Sequence, residues 1–295
     1  MAAEKQDNVK YCKLNEIGKG LPFAFSSLVN IKKGDEILSP SLRDFHVMFF
    51  IKKGTGTYIV DFKEYEFKAN SIVLLSKDQL HYFNQLDPAS TEIYSITFKP
   101  EFIYRNESDL EYLLQFDPTS HLEGLQKLDI PEEKVSYFFE MLKKMEDIYN
   151  SEDSNYQSKA FYHQLCLLLI DCEMLQKKPK ITEQQVFDEP RKNSLAFSQM
   201  VELHFKKEFK VDFYSDGLNI PLKTLSKITR EYYNLAPKAF INQRRILEIK
   251  RQLRGSSKSS KAIAYELNFD EPTNMFKFFR KHVGLSPNEF RKQIS

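Results

Sequence analysis

Between Asp44 and Lys99 apolar residues come in short runs cut by frequent turn signals. FHVMFFI (45–51), TYIVDF (57–62), SIVLLS (71–76) and TEIYSITF (91–98) are rich in β-branched and aromatic residues. Lys-Lys-Gly-Thr-Gly, Lys-Ala-Asn and Leu-Asp-Pro-Ala-Ser separate them, so the spacing predicts short antiparallel strands in a barrel or jelly roll. Ahead of them, residues 1–30 are mixed, with an aromatic-apolar cluster at 21–29.

The period lengthens at Pro131, where Pro-Glu-Glu reads as a helix first turn. Val135, Phe138, Phe139, Leu142, Met145 and Ile148 then recur at steps of three and four. After SEDSN (151–155) a second helix is expected to about Gln176, with Phe161, Leu165, Leu168, Leu169 and Cys172 on its apolar face. Two such helices form a hairpin over residues 131–176, able to cover the barrel or to pair with a second subunit. The polar, proline-punctuated stretch that follows reads as a linker (177–192) between a front domain (1–176) and a back domain (193–295). The fold class is therefore α+β: an antiparallel barrel with a helical hairpin, then an all-α domain.

The back domain repeats itself at a period of 50. REYYNLAPKAF (230–240) and RKHVGLSPNEF (280–290) share Arg-x-x-x-[Asn/Gly]-Leu-[Ala/Ser]-Pro-x-x-Phe. Further back, Leu225 matches Met275 and Lys227 matches Lys277. Ser215/Ala264, Leu218/Leu267 and Ile220/Phe269 match with one residue of slippage. Each copy has a small residue for a close helix approach, an asparagine (Asn219, Asn268) able to turn left-handed, and a helix with a polar outer face. That is a helix-turn-helix, twice. Asp270 is the expected N-cap of the last such helix, with Pro272 in its first turn. Asn234 and Gly284 are the expected stops, and Ser286 with Glu289 spells a capping box. One helix over 237–253, roughly 25 Å long at 1.5 Å per residue, would join the copies. That length suits two recognition helices about one turn of B-DNA apart, and duplex DNA rather than RNA.

Charge changes the picture in the same direction. The net charge of +2 conceals 21 Lys and Arg against 10 Asp and Glu from Arg191 onward, and 22 against 31 before it. A basic half tied to an acidic half points to a polyanion as partner. Cys12, Cys166 and Cys172 form no CxxC pair, and no apolar run nears bilayer length or has the build of a signal peptide, so a cytoplasmic protein with no membrane partner is expected.

The run IAYELNF (263–269) followed by FKFFRKHVGLSPNEFR (276–291) resembles the signature of the AraC/XylS transcriptional regulators, and the 50-residue repeat resembles that family's double helix-turn-helix. The resemblance is specific over 194–295 and weaker over 1–176, where it implies a cupin-like sensor with dimerisation helices. It implies a sequence-specific transcriptional regulator that reads two successive major grooves of promoter DNA, acts on RNA polymerase, and forms a homodimer. Base-contacting positions carry over to Lys223, Ser226 and Lys227 in the first recognition helix and to Thr273, Asn274 and Lys277 in the second. Lysine donates to guanine and asparagine pairs with adenine, so the residue types suit base edges. Arg230, Arg280 and Lys281 fall a turn later and serve phosphates. The chain departs from the family at Asn268 (usually Gly), Pro221 (usually a serine cap), Lys277 (commonly Arg) and Phe276 (usually polar).

A barrel also admits an enzyme reading, in which a cupin-type metal site sits beside an accessory nucleic-acid-binding domain. Here His46 stands alone and His81 matches only a later ligand, while His121 and His163 lie outside the strands. These are too few convergent ligands for a three-ligand site. With no nucleophile, phosphate-loop or dinucleotide pattern either, the expectation is no catalysis, no metal and no cofactor. A small effector is the expected ligand of the barrel, in a cavity lined by Phe25, Met48, Phe50, Tyr58, His81 and Tyr94, residues that equally suit plain core. A non-specific nucleoid protein is a third reading, distinguished by steep salt dependence without sequence preference.

Overall fold

The computed structural model describes residues 10–29, 31, 35–87, 89–103, 126–151, 154–175 and 189–294. They fall into two compact units, one within Asp7–Lys177 and one within Lys178–Ser295.

The front unit is two facing five-stranded sheets. One runs β1 (Lys10–Cys12), β3 (Ser41–Arg43), β8 (His81–Leu86), β5 (Gly56–Val60), β6 (Lys63–Phe67). The other runs β10 (Gln126–Asp129), β7 (Ser71–Leu75), β4 (His46–Lys53), β9 (Glu92–Phe98), β2 (Phe23–Val29). All pairings are antiparallel except β1 with β3. The four expected strands are present, with one correction: the run 57–62 ends at Val60. Asp61 and Phe62 take φ of 45° and 72°, a two-residue hairpin turn that reverses the chain into β6. Such a turn favours Asn-Gly. Phe62 at its second position hid it, so an apolar residue read as strand.

The second sheet is buried on both faces, which is why β4 and β7 are continuous apolar runs rather than alternating ones. Its inner face packs against the first sheet: Phe49 meets Phe83 and Tyr58 edge-on at ring-centroid distances of 5.4 and 6.1 Å. Its outer face carries the helical hairpin, α3 (Val135–Tyr149) and α4 (Ser154–Leu175), entered through a 3-10 turn at Glu132–Lys134. Short α1 (Leu14–Ile17) and α2 (Pro100–Ile103) close the same region, and Phe23 of β2 stacks on Phe161 at 4.2 Å and tilts on Phe102 at 4.7 Å.

The back unit is helical: α5 (Glu189–His204), α6 (Val211–Gly217), α7 (Leu222–Tyr233), α8 (Pro237–Gly255), α9 (Ser260–Glu266), α10 (Pro272–Val283) and α11 (Pro287–Ile294). α5 begins inside the stretch read as linker. Its Glu189-Pro190 is a favourable first turn rather than loop punctuation, and residues 177–188 lie outside the described ones.

α8 is the axis of this unit, and its inward face is partly charged. Arg244, Arg245 and Arg251 are buried beside Ile241, Ile249 and Leu253. Arg244 donates from Nε to both carboxylate oxygens of Glu202 on α5 at 2.8 and 2.9 Å, and from Nη1 to Glu248 at 3.1 Å. Arg245 donates from Nη2 to the carbonyl of Leu267, which ends α9, at 2.7 Å. Burial pushes the Glu248 carboxyl upward, but Arg244, Lys206 and Arg251 beside it and a bond from Gln252 outweigh that, holding it below the ordinary glutamate value. A depressed folded-state value stabilises the protein above the unfolded pKa of about 4.3, and that contribution is lost as pH falls through the folded one. Glu248→Gln is therefore expected to lower stability in urea melts at pH 7 by about 1.5–3 kcal/mol. The gap to the native protein should narrow below about pH 4; a gap unchanged by pH would refute the assignment.

Candidate nucleic-acid interface

The two copies fold alike down to their backbone hydrogen bonds. In the first, Leu218 N–H donates to Tyr214 at 3.1 Å, Asn219 to Asp216 at 3.0 Å and Ile220 to Ser215 at 3.1 Å. In the second, Leu267 donates to Ile263 at 3.1 Å, Asn268 to Tyr265 at 3.0 Å and Phe269 to Ala264 at 3.0 Å. Asn219 and Asn268 both sit left-handed, at φ of 53° and 55°. A side-chain amide makes this conformation tolerable without glycine. Ser215 and Ala264 are buried, as a close helix approach requires.

The one-residue slippage has a location. α7 starts right after its cap Pro221, two residues past Asn219, whereas α10 starts after Glu271, three past Asn268. Asp270 is the extra residue. It is not the N-cap expected of it; that position belongs to Glu271, whose backbone is extended and whose side chain instead accepts from Thr273 Oγ1 at 3.1 Å. Pro272 takes the first helical position, where a missing N–H costs nothing. Asn234 and Gly284 end α7 and α10 left-handed, at φ of 53° and 83°. The Ser286–Glu289 box is reciprocal, Ser286 N–H donating to the carboxylate at 2.7 Å and Glu289 N–H to the hydroxyl at 3.2 Å.

Each recognition helix buries one stripe and turns another outward. Leu225, Ile228 and Thr229 anchor α7, and Met275 and Phe279 anchor α10. Lys223, Lys227 and Arg230 are exposed on α7, as are Thr273, Asn274, Lys277, Arg280 and Lys281 on α10. Ser226 and its counterpart Phe276 are half-buried. Counted from the two helix starts, the position equivalent to Asn274 is Thr224, which is exposed and which the carry-over missed. The signal was present in the 50-residue offset between the copies.

The six residues expected to line one barrel cavity lie on two faces of a sheet. Phe25, Met48, Phe50 and Tyr94 share the outer face through the cross-strand pairs Phe25↔Ile96↔Met48 and Tyr94↔Phe50. There Phe50 meets Phe138 of α3 at 6.4 Å and Tyr94 meets Phe139 at 6.0 Å. Tyr58 and His81 lie between the sheets instead, in a buried group with Arg43. Arg43 Nη1 lies 2.5 Å from His81 Nε2 and 3.0 Å from Nδ1, and the Tyr58 hydroxyl is hydrogen-bonded to Nδ1 at 2.5 Å. Burial and the neighbouring guanidinium hold His81 well below its ordinary value, and burial raises Tyr58, so both stay neutral. His46, on the outer face, accepts from Lys77 N–H at 3.3 Å and lies tilted against Phe98. The two histidines do not converge; His163 is exposed on α4, and His121 lies outside the described residues. Among the described residues no group of three or more His, Cys, Asp or Glu is placed to hold a metal ion.

Two family models match the chain: a helix-turn-helix domain over residues 214–293 and an AraC-like ligand binding domain over 33–165. Similar curated proteins include the HTH-type transcriptional activator RhaS of Escherichia fergusonii, 20% identical over 251 residues, covering 84% of this chain and 86% of that protein. RhaS of Escherichia coli O6:H1 is 22% identical over 265 residues, with the same shares. Among solved structures, ToxT from Vibrio cholerae aligns with a TM-score of 0.45 and 17% identity over 92% of this chain and 98% of that one. One model falls in each compact unit, and the chain belongs to the AraC/XylS family of DNA-binding transcriptional regulators.

Proposed function

We propose that α7 and α10 enter two successive major grooves of one promoter operator, with α8 setting their separation. At 19 residues α8 spans about 28 Å and joins the two copies along the chain, with α7 before it and α10 after it. What carries the reading is the matched pair of outward stripes. Lys223, Lys227, Thr273, Asn274 and Lys277 contact base edges, Ser226 contributes at most from its half-buried position, and Arg230, Arg280 and Lys281 hold phosphates. Neither Pro221 nor Glu271 caps its helix with a side chain, which leaves first-turn N–H groups for phosphate. We take the domains as 1–176 and 193–295, the linker expected over 177–192 giving way to α5 at Glu189.

The protein is a cytoplasmic regulator without catalytic activity, and among the described residues no helix is long and apolar enough to cross a membrane. It changes the access or activity of RNA polymerase at its promoter. The front unit supports control by a small effector, by dimerisation, or by both, since its family model is that of a ligand-binding domain. Of the expected cavity, the outer-face group Phe25, Met48, Phe50 and Tyr94 and the inner pair Tyr58 and His81 would be separate sites. For the homodimer, the hairpin turns Tyr137, Leu167 and Met174 outward, at 49, 54 and 68% exposure.

In anisotropy titrations against the best promoter fragment, Lys227→Ala/Lys277→Ala is expected to weaken binding at least about tenfold for each lysine, with relaxed preference over competitor DNA. Unchanged affinity would remove these side chains from the interface. In sedimentation at micromolar concentration, Leu167→Glu is expected to shift the native dimer to monomer; a dimer that survives, or a native monomer, would overturn that pairing.

A further inference from the structure

The back unit contains a half-open cleft of about 360 Å³ whose buried cation, Arg245, base reading does not use. Arg245 belongs to its lining although only 4% exposed. Its neighbour Arg244 meets two glutamates, but the hydrogen bond of Arg245 goes to the Leu267 carbonyl, and among the described residues its buried Nε–H has no hydrogen-bond partner. The rings of Phe269, Phe209 and Phe278 surround the guanidinium at 4.1, 4.7 and 5.7 Å. Aromatic faces ease the burial of a cation but leave its donors unfilled. Burial pushes the Arg245 pKa down to about 10, with Tyr214 opposing. More positive charge gathers at the rim: Lys238, whose ammonium donates to the Phe209 carbonyl, and Lys281. Asp270, exposed, is the one carboxylate among the described lining residues.

A buried charge is normally paired, and among the described residues no carboxylate is bonded to this one. We propose that the cleft binds a small carboxylate carrying an apolar body. The carboxylate pairs with the Arg245 guanidinium, and the apolar part lies along Phe269 and Phe278. A DNA phosphate fits less well, because a duplex backbone does not reach a guanidinium on the floor of an aromatic-walled cleft. Asn274 and Lys281 line the same cleft. If they contact DNA as proposed above, an occupied cleft and a bound operator compete, and the ligand acts as an effector on the reading head itself.

The test uses the full chain and saturation-transfer NMR with benzoate, its neutral amide benzamide, and inorganic phosphate. Benzoate is expected to bind, and the other two at least about tenfold more weakly. Arg245→Met removes the guanidinium and should weaken benzoate by a similar factor. Because that change also frees Leu267, Asn242→Phe provides a second variant that fills the cleft and leaves every cation in place. Equal binding of benzamide, phosphate binding as tight as benzoate, or benzoate binding that survives Asn242→Phe would each overturn the proposal. Lys227→Ala/Lys277→Ala is expected to bind benzoate as the native chain does, so failure of the DNA assignments shows separately from failure of this site. Operator titrations with and without benzoate then read the competition, which Asn242→Phe should abolish.

Discussion

The DNA-reading half depends on the charged inner face of α8. Arg244 ties that helix to α5 through Glu202, and Arg245 holds the carbonyl that closes α9, so one rigid element positions both helix-turn-helix copies. Such pairs are costly to break one-sidedly, since the remaining charge is stranded in the interior. The arginines also correct the charge argument. Part of the basic excess is structural, and α7 and α10 contribute six of the exposed lysines and arginines left for a polyanion.

In the front unit the controlling constraint is a sheet buried on both sides. β4 sends Phe49 inward to Tyr58 and Phe83, and Phe50 outward to α3, so one strand serves two cores. The helices that would pair with a second chain thus rest directly on the sheet behind which His81 is buried. A ligand in either layer would have to rearrange packing that is already close, and any coupling to the back unit would need that rearrangement to favour one state over another.

Much of this was legible in the chain. Strand runs, the helical hairpin, both left-handed asparagines and the Ser286–Glu289 box follow from local chemistry, which tertiary packing did not override. The repeat was legible because both copies bury equivalent positions. The misses have physical causes. Phe62 disguised a turn. Asp270 was taken for a cap because its residue type suits one, when the turn of the second copy is simply one residue longer. Six aromatic and polar residues were assigned to one cavity because β4 is apolar on both faces, so its alternation does not say which side Met48 and Phe50 take. The buried arginines had a signal that went unread: Arg244, Arg245 and Glu248 share helical spacing with Ile241 and Ile249, which places charges on the face that packs inward.

The central claim is that one rigid helix sets the distance between two reading heads on one operator. The most direct measurement is the affinity of the full chain for its best site after inserting five base pairs between the two half-sites. Half a turn moves the second groove to the far side of the duplex, so binding is expected to fall to that of a single half-site. Affinity unchanged by the insertion would contradict the account.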